Sequence, residues 1–184
     1  MCCRLNDIKA LVAYSSVAHI GLVLGGLLRG YLWGLRGGFI IIVSHGISSS
    51  GLFCIVNIYY ERLGRRSLFL NKGLLIFLPI FSLIMFILCG ANISAPPTVN
   101  LISEIYLMLR VLSFDYIIIL VFPLGSFLGA VFTFYLFSYS QHGKIVRRGK
   151  NFVAQKFSEL HSLVLHIIPL NILVLKPEVF FLWL

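Results

Sequence analysis

Charged side chains are scarce in this sequence, and acidic ones are the scarcest. Asp and Glu together number 6 of 184 residues, and all charged residues make up 11%. A soluble globular domain carries about 25% charged residues, so the composition excludes an ordinary soluble fold. Hydrophobic residues make up 59% of the chain. Together with the mean hydropathy of +0.99, this predicts an integral membrane protein.

The cysteine and glycine patterns argue against several kinds of site. Cys2 and Cys3 are adjacent, while Cys54 and Cys89 stand alone in apolar runs. This spacing gives neither a metal-ligand set nor a disulfide framework. The glycines form no Gly-rich loop after a strand, which argues against phosphate binding. We therefore predict no metal site and no cofactor-binding site in this chain.

Long apolar runs separated by short charged clusters fill the chain. Runs of about 20 residues predict transmembrane helices, whereas the strands of a membrane barrel alternate over about 10 residues. We predict an all-α, polytopic membrane bundle of about five to six transmembrane helices. The runs cover approximately 8–28, 37–60, 74–91, 95–112, 116–139 and 161–175, with a short connection at 29–36.

The net charge of +9 comes from basic residues in the loops. Such positions suit orientation signals and lipid headgroups, with cardiolipin as the predicted lipid partner, better than they suit nucleic acid. Six separate spans would place the 61–72 loop on the same side of the membrane as the N-terminus and the 144–156 loop on the opposite side. The bias in basic residues predicts that the side with the 144–156 loop faces inward. The residues concerned include Arg62, Arg65, Arg66, Lys144, Arg147, Arg148 and Lys150.

A double proline followed by a lone carboxylate interrupts the fourth run. Pro96 and Pro97 lack the N–H groups that continue a helix, and irregular backbone at membrane depth is tolerated where it lines a cavity. Glu104 follows them, and a charged side chain at the bilayer centre costs about 2.5–3.5 kcal/mol on insertion scales. We therefore predict a broken helix over about 95–112, with Glu104 facing a wet interior.

Four titratable side chains in three apolar runs form a candidate proton relay: Lys9, His19, His45 and Glu104. Chains of Glu, Lys and His inside a membrane mark proton paths in pumps. Structural interpretations remain open for each. Lys9 is near a helix end, where its ammonium group can reach the headgroups. The histidines can form structural hydrogen bonds, and Glu104 can pair with a cation on another helix. We interpret His142, His161 and His166 as interfacial.

Several motifs, in order along nearly the whole chain, resemble those of one family. The resemblance is to the antiporter-like, proton-pumping membrane subunits of mitochondrial NADH:ubiquinone oxidoreductase, respiratory complex I. The motifs are Asp7-Ile8-Lys9-Ala10-Leu11-Val12-Ala13-Tyr14-Ser15-Ser16-Val17-Ala18-His19, His45-Gly46 with Ser49-Ser50-Gly51-Leu52-Phe53, Asn57 with Tyr60-Glu61-Arg62, Ala95-Pro96-Pro97-Thr98-Val99-Asn100-Leu101 with Glu104, and Phe137-Ser138-Tyr139-Ser140-Gln141-His142-Gly143.

The resemblance implies a fold of two inverted repeats, each with one broken helix. Residues 1–140 would be the second repeat, and residues 141–184 would be a basic loop plus a C-terminal helix. In that picture Lys9 resembles the central relay lysine, His19 and His45 the relay histidines, and Glu104 the carboxylate at the broken helix. Protons would cross through water-filled half-channels joined by these groups.

The resemblance also implies partners and a location. The chain would act as a subunit of an H⁺-translocating NADH:ubiquinone reductase in the mitochondrial inner membrane. NADH, FMN, iron–sulfur clusters and ubiquinone would bind to other subunits. Its partners would be the other membrane-arm subunits and the missing N-terminal half of the same subunit. Two alternatives stay open: a cation/proton antiporter of the same superfamily, and a structural fragment without conduction of its own.

Overall fold

A computed structural model of the chain describes residues 5–28, 30, 32–112, 118–144 and 156–177. The predicted loop positions Arg29, Arg147, Arg148 and Lys150, and the pair Cys2 and Cys3, lie outside the described residues. The described part contains seven helices: α1 (Ile8–Leu27), α2 (Leu32–Leu63), α3 (Leu74–Phe77), α4 (Pro79–Asn92), α5 (Val99–Leu112), α6 (Ile118–Gln141) and α7 (Phe157–Leu175).

The prediction of an all-helical membrane bundle is confirmed. Among the described residues, α1, α2, residues 122–141 of α6, and α7 are long and apolar enough to cross a membrane. Many large apolar side chains lie on the outer surface, where lipid rather than water would surround them. Examples are Ile76, Leu83, Phe127 and Leu128.

Helices α1 and α2 pack antiparallel. The Asp7 side chain caps α1 by accepting a hydrogen bond from the Lys9 backbone N–H at 3.0 Å. Lys9 lies beside Asn57 near the end of α2, and His19 lies beside His45 in its middle. The prediction of a connection over 29–36 is wrong for residues 32–36, because α2 already begins at Leu32.

Helices α4 and α5 are the two halves of one discontinuous span. Leu88 of α4 packs against Gly51 in the C-terminal half of α2, whereas Tyr106 of α5 stacks on Trp33 near the N-terminus of α2. Each half has 14 residues. At 1.5 Å per residue that is about 21 Å, too short to cross a hydrocarbon core of about 30 Å. The runs 74–91 and 95–112, predicted as separate segments, therefore make a single crossing.

The break predicted at Pro96 and Pro97 is present, and it also includes the residues just before them. Helix α4 ends at Asn92 and α5 begins at Val99, so the connection is 93–98 and the rest of the predicted broken segment is a continuous helix. The run 74–91 has a second interruption, because α3 ends at Phe77 and Pro79 starts α4. The described residues thus form five crossings, four by long apolar helices and one by the discontinuous pair α4 and α5.

The single crossing by α4 and α5 changes the predicted sidedness. Gln141 at the end of α6 donates a hydrogen bond to Tyr59 of α2, and Glu159 at the start of α7 pairs with Arg62. Both ends of the 142–156 connection therefore lie at the same end of the bundle as the 64–73 loop, not opposite it as predicted. We call this the basic end. Its described basic residues are Arg62, Arg65, Arg66, Lys72, Lys144 and Lys156.

Helix α5 lies close to α2 because of a glycine. A Cβ atom on Gly37 would stand 3.0 Å from the Tyr106 Cβ and 3.3 Å from the backbone nitrogen of Leu107. Small residues that allow such close approach are typical of helix contacts in membranes. This contact holds α5, and with it Glu104, against the helix that carries His45.

Candidate functional site

The described structure brings three of the four predicted relay residues together, each from a different helix. His19 on α1 and His45 on α2 have ring centroids 4.4 Å apart. The His19 Nδ1 atom lies 3.7 Å from Oε1 of Glu104 on α5. His45 and Glu104 are buried, with exposed fractions of 8% and 9%, and His19 is half-buried. The bundle thus brings three titratable groups together and covers most of their surface.

The hydrogen bonds of His19 define which of its nitrogens carries the proton. The Nε2 atom lies 3.2 Å from the backbone carbonyl oxygen of Asn92, at the end of α4. A carbonyl oxygen only accepts, so Nε2 is assigned as the donor. In the neutral ring, Nδ1 is then an acceptor that faces Glu104. This arrangement suits passage of a proton between the Glu104 carboxyl group and the His19 ring.

His45 extends the cluster toward the centre of α2. Among the described residues, neither of its ring nitrogens has a hydrogen-bond partner. Buried polar groups of this kind in native proteins are usually satisfied by protein or by ordered water. The serines that follow do not interrupt α2, since Ser48 and Ser50 donate to carbonyls three residues earlier in an unbroken helix. The hydrogen-bond ladder of α2 is therefore unbroken beside His45.

A cavity of about 350 Å³ adjoins the cluster. It lies between α1, the end of α4, α5 and α6, and His19, Asn92 and Glu104 form its polar part. Glycines on the facing sides of α1 and α6 widen it, because a Cβ atom at these positions would meet nothing within 4 Å: Gly21, Gly25, Gly125 and Gly129. The cavity is large enough for several water molecules beside the acid and the imidazole.

Lys9 is not in contact with the cluster. Its Nζ donates to Oδ1 of Asn57 at 3.0 Å and lies 5.2 Å from the centroid of the Tyr60 ring. Ten residues of α1 separate it from His19, which is about 15 Å along the helix. Asn57 in turn donates to Glu61 at 2.7 Å. Lys9 therefore belongs to a polar group at the basic end of the bundle, at a different depth from the histidines.

Two positions that bind the cluster were not predicted from the sequence. The Ser94 hydroxyl donates to Oε1 of Glu104 at 2.6 Å, and the Asn92 carbonyl accepts from His19. Both residues stand just before Pro96 and Pro97, which are themselves exposed. The prolines mark where the helix stops. The contacts to the site come from the residues where α4 ends.

The remaining candidate groups lie elsewhere. His142 and His161 are exposed near the basic end, and His166 bonds to the Ser162 carbonyl one turn earlier in α7. A second buried polar group, made by Tyr59, Ser82 and Gln141, joins α2, α4 and α6 through hydrogen bonds. Among the described residues, no cluster of three or more His, Cys, Asp or Glu side chains is placed to hold a metal ion.

Fold and site together define a class: a polytopic, antiporter-like membrane protein with a buried acid–base cluster beside a discontinuous helix. A family model described as NADH:quinone oxidoreductase/Mrp antiporter, transmembrane, matches residues 1–133. The chain is 49% identical over 184 residues to NADH-ubiquinone oxidoreductase chain 4 of Anopheles arabiensis, covering all of this chain and 83% of that relative.

Other relatives carry the same name and are longer. The chain is 48% identical to chain 4 of Ceratitis capitata over 184 residues and 37% identical to that of Danio rerio over 183 residues. It spans 41% and 40% of their lengths and is covered completely in both comparisons. The chain therefore belongs to the NADH-ubiquinone oxidoreductase chain 4 family.

The fold has a solved counterpart. A chain in the structure titled "Respiratory complex I from Thermus thermophilus with bound NADH" superposes with a TM-score of 0.87. The alignment covers 96% of this chain and 37% of that chain, at 22% sequence identity. At this identity the likeness concerns the fold, and it agrees with the discontinuous membrane bundle described above.

Proposed function

We propose that this chain contributes a buried proton relay, formed by His19, His45 and Glu104, to the proton translocation of NADH:ubiquinone oxidoreductase. As a chain 4 homologue with several membrane spans, the protein is a mitochondrial membrane subunit of complex I. The observation that carries the proposal is the contact among the three side chains, with the His19 Nδ1 atom 3.7 Å from Glu104 Oε1.

The chemistry of the relay follows from the groups present. A carboxyl group and an imidazole that face each other can pass a proton in either direction. The adjoining cavity would hold the water that brings protons to Glu104, while His45 would carry them further along α2. We include Lys9 in the proposed relay as its terminal group at the basic end. No direct contact joins Lys9 to His19, His45 or Glu104, so a proton would need an additional transfer step to reach it.

The proposal includes the arrangement of the whole subunit. Residues 1–140 would belong to the second antiporter-like repeat, with α4 and α5 as its broken helix, and residues 141–184 would form the basic loop and last helix. The chain spans 41% of the length of the Ceratitis capitata relative. Other membrane-arm subunits and cardiolipin at the basic end would complete the surroundings. NADH, FMN, the iron–sulfur clusters and ubiquinone would bind to other subunits.

The test is Glu104→Gln in the assembled complex, reconstituted in vesicles, with the rate of NADH-driven proton translocation as the readout. Glutamine keeps the shape of the side chain but cannot exchange a proton, so we expect translocation to fall at least about tenfold, as for loss of a general acid or base. His142→Gln is the control, because it removes a titratable side chain that is exposed and lies outside the cluster.

An unchanged rate of proton translocation in an assembled Glu104→Gln complex would refute the relay. Proton flux that requires sodium and persists without the other respiratory subunits would instead favour a cation/proton antiporter.

A further inference from the structure

Helix α4 ends in a motif whose left-handed position is filled by serine. The Ser94 N–H donates to the Ala91 carbonyl at 3.2 Å, and the Ala95 N–H donates to the Gly90 carbonyl at 2.9 Å. These two bonds and the φ of 62° at Ser94 form the Schellman motif. Glycine usually takes this position because it has no Cβ to clash, and asparagine is the next choice. A serine here needs a compensating contact.

The side chain of Ser94 provides that contact. Ser94 is 5% exposed, and its Oγ donates to Oε1 of Glu104 at 2.6 Å, across the break in the span. The same helix end supplies the Asn92 carbonyl to Nε2 of His19 at 3.2 Å. The end of α4 thus contacts both members of the closest acid–base pair, one through a hydroxyl group and one through a backbone carbonyl.

A hydroxyl group suits a carboxyl group that changes its protonation. It has one donor hydrogen and two acceptor lone pairs, so it donates to an ionised carboxylate and can rotate to accept from a protonated one. We propose that Ser94 is a positioning residue that holds Glu104 toward His19 in both protonation states and adjusts how readily Glu104 releases its proton. This inference rests on the proposed relay.

Two substitutions separate the hydrogen bond from the backbone strain. Ser94→Ala removes the hydroxyl group and keeps the Cβ, whereas Ser94→Gly removes the hydroxyl group and suits the left-handed backbone. Ser103→Ala is the matched control. Ser103 is a buried serine next to Glu104 in the sequence, and it donates to the Asn100 carbonyl instead.

The measurements are pH-difference infrared spectra and the pH–rate profile of proton translocation, both on the assembled complex. Loss of a band in Glu104→Gln assigns the carboxyl C=O stretch of Glu104. We expect both Ser94 variants to move that band to higher frequency and to displace the pH–rate profile by about one pH unit, the effect of losing one hydrogen bond to a charged group. Ser103→Ala should move neither.

The outcomes distinguish this inference from the proposed relay. If both Ser94 variants leave band and profile unmoved while Glu104→Gln abolishes translocation, the positioning role is refuted and the relay stands. An effect in Ser94→Ala alone would assign it to backbone strain and also overturn the inference. If Glu104→Gln translocates normally, the relay fails whatever the Ser94 variants do.

Discussion

The imidazole rings of His19 and His45 lie with centroids 4.4 Å apart and planes inclined by 34°. Two imidazolium cations at this separation would repel each other, so the pair holds one extra proton more readily than two. In the proposed relay, a shared proton would enter this pair from the Glu104 side, because His19 Nδ1 faces the carboxyl group. Occupation by one proton at a time would make the two rings a single functional unit.

We therefore predict that the effects of His19→Ala and His45→Ala on proton translocation do not add. Each should lower the rate of proton translocation by about tenfold or more, and the double variant should be no worse than the more severe single one. The measurement is proton uptake by vesicles containing the assembled complex. His142→Ala is the control, because His142 is exposed and lies outside the cluster. Independent, multiplicative effects would show that the rings do not act as a unit.

Lys9 gives a separate prediction, because arginine keeps its charge but does not release a proton in proteins. If Lys9 is a terminal relay group, Lys9→Arg should lower translocation about tenfold or more while assembly persists. The same assay measures it. Lys72→Arg is the matched control, since the Lys72 ammonium lies over the rings of Phe69 and Tyr139 at 5.5 Å. Equal translocation by the two variants would make Lys9 a structural residue that anchors α1 to Asn57.

The relay cluster was predictable from the sequence in part, for a clear physical reason. His19, His45 and Glu104 stand within apolar runs, and a polar group in lipid is costly enough to force it inward, where such groups meet. The contacts of Lys9 could not be predicted in this way. Spacing gives its distance from His19 along α1, but only packing shows that it lies against Asn57 at the end of α2.

The number of crossings could not be read from hydropathy alone. The runs 74–91 and 95–112 are both apolar and look like two spans, and only the contacts of Leu88 and Tyr106 with opposite halves of α2 show one crossing. The prolines predicted a break, yet its position depends on where α4 closes its last hydrogen bonds. Ser94 was not predicted as a site residue for the same reason. A serine in a sequence does not indicate a left-handed backbone conformation.

A largely buried ion pair between Arg62 and Glu159 connects the last helix, α7, to the rest of the bundle. The Arg62 guanidinium at the end of α2 donates to the Glu159 carboxylate, with side-chain exposed fractions of 6% and 17%, and also lies 5.2 Å from the centroid of the Phe81 ring. Removing one partner of a buried ion pair costs about 3–5 kcal/mol.

We predict that Glu159→Leu lowers the unfolding temperature of the assembled complex and exposes α7 to proteolysis, because the remaining Arg62 cation is left largely buried. Exchanging the two residues, Arg62→Glu with Glu159→Arg, should recover part of the loss, since the charges again face each other. Glu61→Leu is the control, because Glu61 is exposed and belongs to the polar group around Lys9 instead. If Glu159→Leu leaves both the unfolding temperature and the protease pattern of α7 unaltered, the ion pair does not hold this helix. Its attachment would then rest on the apolar contacts of Leu163 and Leu170 with the core.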